Sequence, residues 1–181
     1  MRTNNRYREN PVQDLLNAVV VQAAEDYRDY CARLLKDPDD REAKREMEAV
    51  RRFFLSEDFK VYTTVAGSRI LNRLEDEQRD VKLSYQKYRD RVAEVALEAR
   101  KCAKLLMQWQ ASGDESEDLL QRGQEQEKLV RNLIGELREE KEKLPKEIRK
   151  LVRVLSYEPV MEKAYRQLKE DIRNGKENLW G

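Results

Sequence analysis

The fold is decided by residues 81–109, which read VKLSYQKYRDRVAEVALEARKCAKLLMQW. Apolar side chains recur there at spacings that alternate between four and three residues, from Val81 to Trp109. Because an α-helix turns once every 3.6 residues or so, this spacing places them along one stripe of a single helix. So long a stripe cannot remain exposed to water, and the sequence therefore predicts a partner helix.

A second stripe with the same spacing follows after a short turn-like segment. It runs from Val130 to Leu155 and is interrupted by Pro145. Two long amphipathic helices joined by a short turn form an antiparallel coiled-coil hairpin, which we predict over residues 68–156 with its tip near residues 111–115. Proline removes a backbone donor and clashes with the preceding turn, so the second arm is expected to kink, or a new helix to start, near residue 145.

Shorter helices are predicted on both sides of the hairpin. Residues 1–67 form a small N-terminal helical unit, and residues 157–181 form a C-terminal helix with a tail. The predicted fold class is therefore all-α. In the first helix, from about residue 11 or 12 to Lys36, the apolar positions follow spacings of three and four residues: Val12, Leu15, Val19, Ala23, Tyr27, Tyr30 and Leu34.

Two helix starts are predicted from capping residues. Asp37 precedes Pro38, which suggests an N-cap followed by proline at the first helical position. Ser68 is expected to cap the long first arm of the hairpin.

Composition excludes several function classes. The chain has no histidine, so His-activated Ser or Cys nucleophiles and His-dependent metal sites are ruled out. Charged residues make up 40% of the chain, yet 37 basic and 36 acidic side chains leave a net charge of only +1. Any charge-driven contact must therefore come from a local patch. We predict a protein that is not an enzyme and that uses no cofactor and no metal.

The two cysteines, Cys31 and Cys102, lie inside apolar helical patterns, which argues against a disulfide framework. No segment has the apolar core of a signal peptide, and no run approaches the roughly 18 apolar residues of a membrane span. A soluble cytoplasmic protein without membrane contact is expected.

The first candidate contact surface is basic. Residues 141–153 carry six basic and two acidic side chains. Four of the cations share the i, i+3, i+4, i+7 spacing of one helix face, so the segment could bind phosphates of RNA or DNA, or an acidic protein surface. A solvated helix face is the alternative. The cations are Lys141, Lys143, Lys146, Arg149, Lys150 and Arg153.

The second candidate contact surface is the acidic hairpin tip, which could dock in a basic groove in place of phosphates. The alternative is that these acids complement the dipole of the helix that starts there. Trp109, near the tip, would suit an interface hot spot if it is exposed. The acids are Asp114, Glu115, Glu117 and Asp118.

The N-terminal third contains NAVVVQAAEDYR at residues 17–28, LLKDP at 34–38, RFFLSE at 52–57 and TTVAGS at 63–68. Over residues 12–75, these segments resemble a small helical family found in phages and integrative elements of Firmicutes. The resemblance implies a mobile-element origin and assigns no functional residue.

Accessory proteins of such elements include inhibitors of host defence nucleases. In size, lack of catalytic groups and hairpin architecture, this chain looks like an anti-CRISPR protein, namely a type II-A Cas9 inhibitor. The expected partner is then a host protein or ribonucleoprotein in the bacterial cytoplasm, such as Cas9 with its guide RNA. Two alternatives stay open: direct nucleic-acid binding through residues 141–153, or a structural protein of the element that assembles through the coiled coil. The chain itself would be a monomer or a homodimer.

Overall fold

A computed structural model describes residues 11–113 and 115–180. In these residues all regular secondary structure is helical, which confirms the predicted all-α class. Expectations that concern residues 1–10 or Asp114 lie outside the described residues. The helices are α1 (Pro11–Lys36), α2 (Arg41–Leu55), a 3-10 helix (Glu57–Val61), α3 (Gly67–Ala111), α4 (Glu117–Lys143), α5 (Lys146–Leu151) and α6 (Tyr157–Arg173).

The chain divides into two compact units at Leu83–Ser84, inside α3. This division falls later than the predicted boundary at residue 67, because the first turns of α3 belong to the core of the first unit. Leu71 and Leu74 are buried there together with aromatic side chains of α1, α2 and the 3-10 helix. Residues 157–181, predicted as a separate segment, belong to the second unit.

The first unit has an aromatic core. Phe53 and Phe59 pack edge to face with ring centroids 5.3 Å apart, and Phe54 is 1% exposed. Gly67 starts α3 directly beneath α2, where an added Cβ would lie 1.9 Å from the carbonyl oxygen of Phe54. Only glycine fits at this position, so the close approach of the two helices depends on it.

Both predicted caps in this unit were wrong. The N-cap of α2 is Asp40, whose carboxylate accepts a hydrogen bond from the Ala43 amide at 2.9 Å. Asp37 instead closes a turn by accepting from the Asp39 amide at 3.0 Å. Ser68 lies within the first turn of α3. A run of acids around a proline offers several capping positions, and the backbone conformation decides which one is used.

In the second unit α3 and α4 form the predicted antiparallel hairpin. They are joined by a short turn in which Gly113 has φ +74°. Their facing stripes supply fully buried side chains, among them Val95, Cys102 and Leu137. Gly123 is buried opposite Leu106, and an added Cβ would lie 3.0 Å from that side chain. This glycine lets the two helices approach closely near the tip.

The hairpin is more than a two-helix rod, because α6 shares its core. Met161, Ala164 and Leu168 are buried in the same cluster as the α3 and α4 stripes. The Arg131 guanidinium of α4 also lies over the Tyr157 ring, 3.6 Å from its centroid. The second unit is therefore built on three helices.

The predicted break at Pro145 is confirmed. Helix α4 ends at Lys143, and α5 starts directly after the proline. Helix α5 ends at Leu151, and Val152 is extended. The second arm of the hairpin therefore does not continue as one helix to residue 156.

Candidate contact surfaces

Two arginines of α3 in the second unit are bound in internal ion pairs. Arg91 contacts Glu94 and Glu136 at 2.5 and 2.6 Å, which links α3 to α4. Arg100 contacts Asp171 of α6 at 2.7 Å and also Glu177. These pairs occupy the two guanidinium groups, so Arg91 and Arg100 have little charge left for a partner.

The segment after α6 lies along α3. Gln108 donates a hydrogen bond to the carbonyl oxygen of Leu179 at 2.6 Å. Glu177 contacts Arg100 and Lys104, and the hydrogen bond from Arg100 lowers the pKa of the Glu177 carboxyl below its usual range. Trp180, near the end of this segment, is 60% exposed.

The basic segment is not the single helical stripe that its spacing predicted. Lys141 and Lys143 lie in the last turn of α4, where cations complement the helix dipole. Lys146, Arg149 and Lys150 belong to α5, while Arg153 follows its end. The four cations predicted to share one face therefore do not share one helix, because α5 has only six residues.

The cations of residues 141–153 are nevertheless available to a partner. All are exposed except Lys141, which is partly covered. Within the described part of the chain, Arg149 is the one member with an acidic partner, Glu142 at 3.6 Å. This segment thus differs from Arg91 and Arg100, whose guanidinium groups are paired.

The acidic tip is partly explained by helix capping. Ser116 is the N-cap of α4 and accepts a hydrogen bond from the Leu119 amide at 3.4 Å. Glu117 and Asp118 occupy the first turn, where carboxylates meet the positive end of the helix dipole. Asp118 also contacts Arg122 at 3.3 Å. Glu115, Glu117 and Asp118 remain exposed, so the tip presents negative charge to solvent.

Trp109 is less exposed than a solvent-facing hot spot would be. Its side chain is partly covered, and the indole nitrogen is buried without a hydrogen-bond partner in the described residues. A buried unpaired donor costs about 1–3 kcal/mol, so packing of the ring must offset this cost. Trp109 is therefore not the exposed aromatic side chain that was predicted as an interface hot spot.

A basic face on α6 was missed from the sequence. Four of its cations are exposed and make no ion pair within residues 115–180: Lys163, Arg166, Lys169 and Arg173. They lie on the side away from Ala164 and Leu168, which are buried, and two exposed acids, Glu162 and Glu170, lie among them. A helical projection of residues 157–173 would have revealed them, because charged and apolar positions separate there.

The concave features of the second unit offer little for chemistry. An open groove of about 620 Å³ between α3 and α4 is lined by Lys101, Leu105, Gln126 and Leu129 among others. A smaller cleft of about 180 Å³ between α3 and α6 is lined mainly by aliphatic side chains. No cluster of three or more His, Cys, Asp or Glu side chains suited to a metal ion occurs among the described residues.

The two cysteines are free thiols. Burial raises the pKa of both Cys31 and Cys102 to about 11, with Cys102 fully buried in the hairpin core. The thiolate is the reactive form of cysteine, so both side chains are poor nucleophiles near neutral pH.

No family model, curated protein or solved structure gives a significant match to this chain. The resemblance to a phage and integrative-element family therefore stays a prediction. In the described residues, no helix combines the length and apolar character needed to cross a membrane.

Proposed function

We propose that this protein works by contact alone, binding a nucleic-acid-handling enzyme of its host and blocking it. Cas9 loaded with guide RNA is the first candidate. The observation that carries the proposal is the separation of exposed charge in the second unit: acids lie at the hairpin tip and cations lie in residues 141–153. The choice of Cas9 rests on the resemblance of residues 12–75.

The two charged surfaces lie at opposite ends of α4. This helix has 27 residues, which at about 1.5 Å per residue separates them by roughly 40 Å. Enzymes that hold nucleic acids have basic grooves, in which exposed carboxylates can take the place of phosphates. Cations at the other end can contact the phosphates of a bound RNA. One molecule could then contact both the protein and the RNA of a ribonucleoprotein.

A DNA-cleavage assay with purified Cas9 and guide RNA tests the proposal. We expect cleavage to fall as the protein is added, and Glu115→Lys with Glu117→Lys to weaken inhibition at least ten-fold. The matched control is Glu57→Lys with Asp58→Lys, because these acids are also exposed and lie in the first turn of a helix. The control should inhibit like the unchanged protein.

Undiminished cleavage at a large molar excess would exclude Cas9 as the target. Equal losses in the tip variant and in the control would show that the tip is not the binding surface.

A second candidate is direct nucleic-acid binding. The exposed cations of residues 141–153 and of α6 favour it, because each phosphate contact releases counterions and adds affinity. Filter binding of labelled RNA and DNA at several salt concentrations should show affinity that falls steeply with salt. Lys146→Glu with Lys150→Glu should reduce binding, whereas Lys82→Glu with Lys87→Glu, at exposed positions of α3, should not. Absence of binding at low salt would exclude this candidate.

A further inference from the structure

Residues 176–180, which we call the strap, lie against α3. The Glu177 carboxylate contacts the Lys104 ammonium at 3.3 Å and also the Arg100 guanidinium. Gln108, one helical turn beyond Lys104, donates a hydrogen bond to a backbone carbonyl oxygen of the strap. These three side chains of α3 are spaced by four residues, so they form a row along one side of the helix. The row thus binds a short peptide of the same chain through a carboxylate and a carbonyl oxygen.

The strap is held by polar contacts rather than by burial. The side chains of Lys176, Asn178 and Trp180 are exposed, and those of Glu177 and Leu179 are only partly covered. Ion pairs that remain partly exposed contribute little stability and are screened by salt. The strap can therefore open while the core formed by α3, α4 and α6 stays folded.

The row that holds the strap also borders the open groove between α3 and α4. Lys104 and Gln108 line this groove together with the aliphatic side chains of Leu105 and Leu129. Leu129 is 41% exposed. A peptide in the place of the strap would thus meet charged and amide donors along α3 and an apolar surface beside them.

We propose that the strap closes a peptide-binding surface of α3 from within the chain, and that an acidic segment of a partner protein takes its place when the strap opens. Two residues of an extended peptide span about 6.6 Å, and four residues of a helix rise roughly 6 Å. A peptide aligned with α3 can therefore place a carboxylate at Lys104 and a carbonyl oxygen at Gln108. This surface is separate from residues 141–153 and from the acidic tip, so the inference does not depend on the function proposed above.

The charges around the row favour a peptide over a nucleic acid. Asp171 contacts Arg100 at 2.7 Å, and Glu125 lines the groove beside Lys104. These acids would repel a run of phosphates, whereas a single carboxylate fits between the two cations, as that of Glu177 does. A peptide backbone also offers a carbonyl oxygen at every residue, which matches the hydrogen bond that the row already makes to the strap.

Acetylation of lysines in the whole chain, mapped by mass spectrometry, tests the strap. Lys104 should react at least five-fold faster in Glu177→Ala than in the unchanged protein, because the carboxylate that contacts its ammonium group is removed. Lys101 is the internal reference, since its side chain is already 55% exposed. The matched control is Glu170→Ala, which removes an exposed acid of α6 without an ion pair among the described residues, and it should leave Lys104 protected. Thermal unfolding of both variants checks that they fold.

Fluorescence anisotropy of a labelled acidic peptide, EENLWEE, tests the partner class. The peptide should bind Glu177→Ala at least ten-fold more tightly than the unchanged protein, because the tethered strap competes in the latter. Adding Lys104→Gln to Glu177→Ala should remove this gain, and the neutral peptide QQNLWQQ should not bind.

Four results would overturn the proposal. The first is equal acetylation of Lys104 in Glu177→Ala and in the unchanged protein. The second is no binding of the acidic peptide to Glu177→Ala, and the third is binding that survives Lys104→Gln. The fourth is tighter binding of a single-stranded RNA oligonucleotide than of the peptide, which would assign the surface to a nucleic acid.

Discussion

The apolar stripe of α1 and the apolar stripe of α3 have the same spacing but different surroundings. In α3, Val95, Ala99 and Cys102 are no more than 1% exposed, because α4 and α6 cover them. In α1, Val12 and Leu15 are more than 60% exposed. Spacing therefore identifies which face of a helix is apolar, but it does not show whether the covering element belongs to the same chain.

The largest expected effect is the difference in unfolding free energy between replacing a buried leucine and replacing an exposed one. Leu137→Ala should lower the free energy of unfolding by about 2–5 kcal/mol, because its 1% exposed side chain leaves a cavity in the hairpin core. Leu15→Ala should lower it by less than about 0.5 kcal/mol in dilute solution, because that side chain is 65% exposed. Urea unfolding followed by circular dichroism measures both. Similar losses would mean that the first half of α1 is covered within one molecule.

The second test compares two helical glycines. Gly67→Ala should destabilise the first unit by about 1–3 kcal/mol, since the added Cβ meets the carbonyl oxygen of Phe54. Gly135→Ala should stabilise the protein by up to about 1 kcal/mol, because nothing lies within 4 Å of the added Cβ and alanine favours the helix. Thermal unfolding of the two variants measures the shifts. A stable Gly67→Ala protein would contradict the close approach of α2 to α3.

The smallest expected effect is the difference in stability between replacing an acid that has an ion pair and replacing an acid that has none. The hydrogen bond from Arg100 lowers the pKa of the Glu177 carboxyl. The ion pair therefore stabilises the fold at every pH above 4.5, the ordinary pKa of glutamate. This stabilisation is lost as the pH falls through the lowered pKa of the folded state. Glu177→Gln should therefore cost less than about 1 kcal/mol near neutral pH and nothing in strong acid.

The control for this test is Glu170→Gln, which removes an exposed acid of the same region that has no ion pair within the described residues. Urea midpoints measured over a pH series should show no such loss for it. A loss of stability for Glu177→Gln that is the same at every pH would contradict the ion pair.

Much of the fold could be predicted from local signals. The hairpin, the break at Pro145 and the all-α class follow from spacing and from one proline. The packing of α6 into the hairpin core could not be predicted, because the stripe of α6 fits any apolar partner. The choice of Asp40 over Asp37 as a cap depends on backbone angles that a run of acids does not determine.

The candidate surfaces were predicted less completely. The composition of residues 141–153 identified their cations. Their predicted arrangement on one helix face was wrong, because α5 ends at Leu151 and Arg153 lies outside it. The ion pairs that neutralise Arg91 and Arg100 join distant parts of the chain. Sequence spacing shows only pairs within one helix, so it could not separate these cations from the unpaired ones on α6.

The positions of the two tryptophans have a practical consequence. Trp109 and Trp180 both lie in the second unit, one with a buried indole nitrogen and the other 60% exposed. Intrinsic indole emission therefore reports on the second unit alone, whereas the aromatic core around Phe54 and Phe59 contributes no indole signal. Comparing emission with the ellipticity of the whole chain would reveal whether the two units melt together or one after the other.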